Sequence, residues 1–210
     1  MKVNLLIFDL DGTLYKTENV SVPALKEAFS EFDIILSENT ILKQFGEPTS
    51  KIIDNLVPPE KKDKQKKIRK RIIKKEDEMI PEKATLYEGT KRTLDTLKER
   101  GYNLTICSNG RYDYIDRVLQ NTSIKDYFST IRGYNAGKNK SDHIKELMEE
   151  FSVNEAVMIG DRYHDVKAAN KAGIISIGAL YGYGNKEAKK ADYIIKEPSE
   201  LISILDEEIY

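Results

Sequence analysis

The chain has 210 residues, 40% hydrophobic and 33% charged, with a formal net charge of -1. That length and apolar content suit one large domain, or a core with a smaller insert, and the balanced charge gives no whole-chain field for nucleic acid or an anionic membrane. One cysteine excludes an internal disulfide, and the apolar stretch at the N-terminus is too short for a span and lacks the signal-peptide pattern, so the expectation is a soluble, cytoplasmic monomer with no membrane partner.

In chain order, residues 3–8 read as a buried parallel strand, apolar throughout and ended by Gly12. Residues 16–84 carry apolar positions at helical spacing, such as Ala24, Leu25, Ala28 and Phe29, punctuated by prolines, which predicts three or four helices and no strand. From about residue 85 strands and helices alternate. A helix runs from Thr90 through Lys98 with Gly101 beyond its end, and a strand covers 102–107. Next come a helix near 111–120, a short strand near 129–133 and a helix over 141–151 beginning near Lys140 or Ser141. A strand over 156–160, a helix over 163–172 capped by Gly173, strands over 174–178 and 191–195, and a helix over 198–208 complete the chain. The fold class is α/β: a Rossmann-like parallel sheet core, residues 1–15 and 85–210, with an inserted all-helical cap domain, residues 16–84.

Open α/β sheets bind ligands beyond the carboxyl ends of their strands. Three strands here end in polar clusters: Asp9-Leu10-Asp11-Gly12-Thr13, Ser108-Asn109-Gly110, and Asp161-Arg162-Tyr163-His164-Asp165. Gly137-Lys138-Asn139-Lys140 lies between the last two, just before a helix. In a parallel sheet these clusters share one edge. Several carboxylates without a cysteine or histidine cluster suit a hard ion such as Mg²⁺. Ser108 and the amides near Asn109 and Gly110 suit phosphate oxygens, and a lysine supplies a point charge for a phosphoryl group. Two negative groups about 4 Å apart repel by roughly 4 kcal/mol at an effective dielectric of about 20, so an aspartate approaches a phosphate only with cations beside it. The chemistry indicated is phosphoryl transfer.

The ordered set "DLDGT" at 9–13, "SNG" at 108–110, a lysine after a strand and "GDRYHD" at 160–165 resembles the four motifs of the haloacid dehalogenase-like hydrolases. "YEGT" at 87–90 and "GYGN" at 182–185 followed by "ADYII" look most like the phosphoglycolate phosphatase-like branch with a helical cap of the first type. The resemblance implies a Mg²⁺-dependent phosphatase acting on a small phosphorylated molecule. Asp9 would be the nucleophile that becomes an aspartyl-phosphate, and Asp11 the general acid and base, its main-chain carbonyl also reaching the metal. Thr13 would support the loop and the substrate, while Ser108, Asn109 and Gly110 would hold the phosphoryl oxygens. Asp161 would ligate Mg²⁺, and Asp165 would ligate it or act through a neighbour. Lys138 and Lys140 both fit the motif-three lysine; Lys140-Ser141-Asp142 matches the Lys-Ser-acid pattern of related sequences and favours Lys140. The acid at Asp11 resembles phosphatases and phosphomutases, not dehalogenases.

Other readings stand beside this one. A sugar phosphomutase uses the same motifs and returns the phosphate to its substrate. The tract "KKDKQKKIRKRIIKK" at 61–75 reads first as a cap helix with a basic solvent face, with Ile68, Ile72 and Ile73 inward. Steering of anionic substrates is an alternative, and so is a non-catalytic nucleic-acid-binding module, which lacks aromatic interleaving for support. His143 and His164 read as solvated surface, Cys107 as a small core residue, Gly182-Tyr183-Gly184-Asn185 as a loop near the cleft, and "FGEPTS" at 45–50 as a cap stretch that reaches it.

Overall fold

The computed structural model describes residues 3–207 and 209. Among them six parallel strands stand in the order β3-β2-β1-β4-β5-β6: β1 (Leu5–Phe8), β2 (Asn103–Cys107), β3 (Thr130–Arg132), β4 (Ala156–Gly160), β5 (Ile175–Ala179) and β6 (Tyr193–Ile195). β1 is central because all four of its residues are buried, as a strand covered on both faces requires. The side-chain period of two splits it: Leu6 and Phe8 join one core layer, Leu5 and Ile7 the other. Phe8 stands opposite Ile106 of β2 and Ile159 of β4. The residues that follow therefore emerge level with one another, which brings Asp9, Ser108 and Asp161 to one edge.

The helical insert leaves after β1. It contains α1 (Glu18–Ser30), α2 (Glu38–Leu42), α3 (Thr49–Leu56), a 3-10 turn (Pro59–Lys64) and α4 (Gln65–Lys83). It has its own apolar cluster, including Leu25, Phe29, Ile41, Phe45, Ile53, Ile68 and Ile72. The chain crosses back beside its point of exit, where Lys16 N donates to Thr85 O at 2.8 Å and Tyr87 N to Leu14 O at 3.0 Å. Part of the basic tract ties α4 and the preceding turn to the rest of the insert: Lys75 pairs with Glu27 of α1 at 2.6 Å, Arg71 pairs with Glu31, and Lys61 donates to Phe32 O at 2.6 Å.

The remaining helices cover the sheet. On one face, α5 (Thr90–Glu99), α6 (Tyr112–Asn121) and α10 (Glu200–Glu207) bury Leu94, Leu97, Ile115, Val118, Leu201 and Leu205. On the other, α7 (Lys140–Glu150) and α8 (Tyr163–Ala172) bury Ile144, Leu147, Ala168 and Ala169. A short α9 (Asn185–Ala188) forms where the sequence predicted only loop. Residue 208 of the expected last helix, and residues 1, 2 and 210 of the expected core, lie outside the described residues. Among the described residues, no helix is long and apolar enough to cross a membrane.

The start of α7 matters for the site. Asn139 caps it: its Oδ1 accepts from Ser141 N at 3.1 Å and Asp142 N at 3.3 Å, while Asn139 N donates to Asp142 Oδ2 at 2.9 Å. Such a reciprocal cap stabilises a helix end by about 1 kcal/mol. It makes Lys140 the first residue of the helix, one position earlier than the apolar pattern suggested.

Candidate active site

The ends of β1 and β4 and the start of α7 meet in one buried cluster, and the end of β2 lines the cavity beside it. Lys140 Nζ donates to Asp9 Oδ1 at 2.9 Å and to Asp165 Oδ1 at 2.6 Å. Oxygens of Asp9, Asp161 and Asp165 all lie within 4.8 Å of one another. Lys138, the other candidate, is solvent-exposed and pairs with Glu146. The cap on α7 accounts for the difference, because it fixes Lys140 as the residue that turns inward.

Asp165 is held by Arg162 N, which donates to its Oδ2 at 2.9 Å, and so fixes the lysine from behind. The loop at 182–185 closes on Asp161: Tyr183 N and Gly184 N donate to Asp161 Oδ2 at 2.6 and 3.3 Å. Gly12 has φ +81°, and a Cβ there would lie 2.5 Å from Asp161 Oδ2. Glycine is therefore required both by the left-handed turn and by the approach of the two loops. Ser108 is buried, and its Oγ accepts from Gly110 N at 3.1 Å. Asn109 reaches the cap, donating to Gly46 O at 2.8 Å.

Three carboxylates face one ammonium here, and the electrostatics register it. Burial pushes Asp9 up to about 7 against the pull of Lys140, with Asp165 and Asp11 adding to the rise. Burial, then repulsion from Asp165 and Asp9, pushes Asp161 well above the ordinary carboxylate range. Burial opposes the charge on Lys140, but Asp165 and Asp9 outweigh it and keep the ammonium protonated. Asp161 Oδ1 is buried with no hydrogen-bond partner. An orphaned carboxylate oxygen in an all-oxygen cluster with excess negative charge fits a hard divalent cation such as Mg²⁺.

Asp11 differs from that cluster. Its carboxyl turns toward the cap, where Oδ1 accepts from Thr17 Oγ1 at 2.7 Å and from Tyr114 OH at 2.9 Å. Burial raises its pKa while those two hydroxyls lower it. It lines a cavity shared by core and cap, together with Asp9, Ser108, Asn109, Gly110, Lys140 and Asp165 from the core. The stretch 45–50 reaches that cavity as expected, through Phe45, Gly46, Glu47 and Thr49.

His143 departs from the solvated surface expected of it, whereas Cys107 is the core residue expected. Thr13 is fully buried and does not line the cavity; its carbonyl accepts from Tyr181 OH at 2.9 Å. It braces the loop and is not brought to the space a substrate would fill. His143 is buried, not solvated, because it shares the inner face of α7 with Lys140, Ile144 and Leu147 at helical spacing. His164 stands at the core–cap junction with Nε2 3.3 Å from Glu47 Oε1. Cys107 is buried, and burial pushes its thiol up to about 12, far from a nucleophile's range.

Sequence reasoning missed Glu76 and Tyr114. Glu76 is buried on α4 and lines the cavity. Burial pushes it up to about 7 against Arg111, with Asp11 adding to the rise. The signal was present: Ile68, Ile72, Glu76 and Ile80 recur every four residues, so a carboxylate occupies the inward stripe. Tyr114 carried no such signal, since a tyrosine on the inner face of α6 reads as ordinary core.

The family model for haloacid dehalogenase-like hydrolases matches residues 6–179. The pyrophosphatase PpaX of Listeria monocytogenes serotype 4b (strain CLIP80459) is 28% identical, over 99% of this chain and 98% of its own length. The phosphoglycolate phosphatase of Pasteurella multocida (strain Pm70) is 27% identical, over 96% of this chain and 98% of its own. A crystal structure of a predicted phosphoglycolate phosphatase from Haemophilus somnus 129PT shares the fold, with a TM-score of 0.89 at 24% identity over 97% of this chain and 98% of that one. With the match running from β1 through β5 and the motif residues gathered at one sheet edge, the chain belongs to the haloacid dehalogenase-like hydrolase family.

Proposed function

We propose that this chain is a Mg²⁺-dependent phosphatase for small phosphomonoesters, with residues 1–15 and 85–210 as its catalytic core and 16–84 as its cap. The observation that carries the reading is the pair Asp9 and Asp11. One carboxylate is fixed by Lys140 within an acidic cluster, and the other, two residues on, is turned to the cavity under two hydroxyls. The relatives named pyrophosphatase and phosphoglycolate phosphatase support hydrolysis of phosphate compounds.

Asp9, Asp161 and Asp165, with the main-chain carbonyl of Asp11, would hold the Mg²⁺. When bound it neutralises charge on the carboxylates and the phosphoryl oxygens. The protein's own groups do the rest. Lys140 and Ser108, with the amides of Asn109 and Gly110, orient the phosphoryl group and carry its charge. An Asp9 carboxylate oxygen attacks phosphorus, the ester P–O bond breaks, and the leaving oxygen takes the proton held by Asp11. Asp11, now ionised, removes a proton from water; that water attacks the phosphoryl group, inorganic phosphate leaves, and Asp9 is regenerated. The raised pKa of Asp11 suits a group that must hold a proton before the first step.

The test is release of inorganic phosphate from a panel of phosphomonoesters with Mg²⁺, compared with the Asp9→Asn variant. Phosphate release that depends on Asp9 is expected. An isomeric sugar phosphate in place of free phosphate would select the mutase, and undiminished release by the variant would remove the nucleophile.

A further inference from the structure

The side of the cavity that receives the leaving group can be identified, because Asp11 delivers its proton. Around Asp11 the lining consists of Thr17, Ser21, Tyr114 and Glu76, with Leu25 and Ile72 beside them. Glu76 is 6% exposed. Ser21 Oγ donates to its Oε1 at 3.4 Å, and Arg111 donates to and pairs with its Oε2 at 3.4 Å. Arg111 does not line the cavity, and its guanidinium is also engaged by Asp113 at 3.2 Å. The cavity's own cationic side chains are committed: Lys140 to Asp9 and Asp165, Arg162 to Glu187 at 2.9 Å and to Phe45 O. His164 faces Glu47.

A carboxylate in the inward stripe of a helix is costly where isoleucine fills the neighbouring positions. Its placement beside the second carboxylate, Asp11, sets what can sit between them. A hydroxyl or ammonium on the leaving group can donate to Glu76. A carboxylate or phosphate there would meet an ionised Glu76, several hydroxyls and no uncommitted cation among the described lining residues, while Asp11 keeps the proton it delivers.

We propose that Glu76 sets the substrate class: the leaving group carries hydrogen-bond donors and no negative charge, as in phosphate esters of a polyol or an amino alcohol. This rests on the phosphatase reading above and separates the chain from relatives named for pyrophosphate and phosphoglycolate, whose leaving groups are anionic. Like-charge repulsion from an ionised Glu76 in contact with the leaving group corresponds to discrimination on the order of tenfold to a hundredfold.

The experiment compares kcat/KM of the intact chain with Mg²⁺ at about pH 8.5, above the value of about 7 to which burial pushes Glu76, for glycerol phosphate, phosphoethanolamine, phosphoglycolate and pyrophosphate, with p-nitrophenyl phosphate as reference. The first two are expected to exceed the anionic pair by about tenfold or more. Whichever of the two is faster distinguishes hydroxyl from ammonium. Glu76→Gln keeps the shape and removes the charge; it should narrow the ratio by about tenfold, chiefly through lower KM for the anionic pair. Equal or better turnover of phosphoglycolate or pyrophosphate by the wild type overturns the inference, and so does an unmoved ratio in a folded Glu76→Gln. If that variant does not fold, the wild-type ratio decides alone. No phosphate from any of the five compounds sinks the phosphatase reading and this inference with it. Hydrolysis of p-nitrophenyl phosphate with the anionic pair preferred sinks this inference only.

Discussion

Two buried acidic settings face one cavity, and they are built differently. On the core side, Asp9, Asp161 and Asp165 surround Lys140, with main-chain amides closing on Asp161 and Asp165. On the cap side, Glu76 stands between an apolar cluster of the insert, which includes Ile72, and the main core, which includes Ile80, with a serine and one arginine behind it. The core cluster is buried, hydrogen-bonded and rich in negative charge, which under the proposed function suits a phosphoryl group bridged to it by cations. The cap carboxyl is a single selective contact, the kind that can change between relatives without disturbing the chemistry. Asp11 belongs to neither: it springs from the core strand but hydrogen-bonds to Thr17 at the entry to the cap and to Tyr114.

The sharpest way to break this division is at Asp9, the proposed nucleophile. Asp9→Asn should cut phosphate release by about 10⁴-fold or more while leaving thermal melting little changed, measured by phosphate assay and calorimetry. Next comes the lysine. Lys140→Ala leaves the buried carboxylates uncompensated and should lower unfolding free energy by about 3–5 kcal/mol, whereas the exposed Lys138→Ala should stay within about 0.5 kcal/mol. Denaturant melts of the two variants side by side check it, and equal losses would mean the lysines are misassigned.

Glu76 offers a smaller and opposite effect. Its pKa rises from 4.5 to about 7 on folding, so the folded state binds a proton that the unfolded state releases. That stability is full below about pH 4.5 and is lost as pH rises through 7, a swing on the order of 3 kcal/mol. Glu76→Gln should therefore gain stability relative to wild type between pH 4.5 and pH 8, read from melts across that range; parallel profiles would argue against a buried, perturbed carboxyl. The smallest effect concerns the metal. Mg²⁺ at 100 times its Kd should stabilise the wild type by about 2.7 kcal/mol, and Asp161→Asn should reduce that shift. An unchanged shift in the variant would remove Asp161 from the ligand set.

The same division governs what the sequence reveals. Part of the core site was legible because Asp9, Ser108 and Asp161 each follow a short apolar strand, and parallel register alone brings them level. The choice between Lys138 and Lys140 depended on the Asn139 cap, a local feature readable as Asn-x-x-Asp but competing with Ser141 as a helix start. Thr13 braces the loop as expected, but its place outside the cavity lining was not legible, because a hydroxyl after such a turn can face either the cavity or the core and only packing decides. The cap side was harder. Glu76 sits in a run of acids that reads as solvated surface, and its burial follows only from the every-four stripe of Ile68, Ile72 and Ile80. Tyr114 is brought to Asp11 by a tertiary approach of elements 103 residues apart, which no local pattern encodes.

The account's central claim is that Asp9 carries the phosphoryl group and Asp11 moves the protons. Asp11→Asn with p-nitrophenyl phosphate tests it most directly, since that leaving group needs no proton but the water still needs a base. The account predicts a burst of one nitrophenolate per chain, followed by slow turnover, and a hydroxylamine-labile phosphoryl group on the peptide containing Asp9 by mass spectrometry. Turnover without a burst, or a label on another residue, would contradict it.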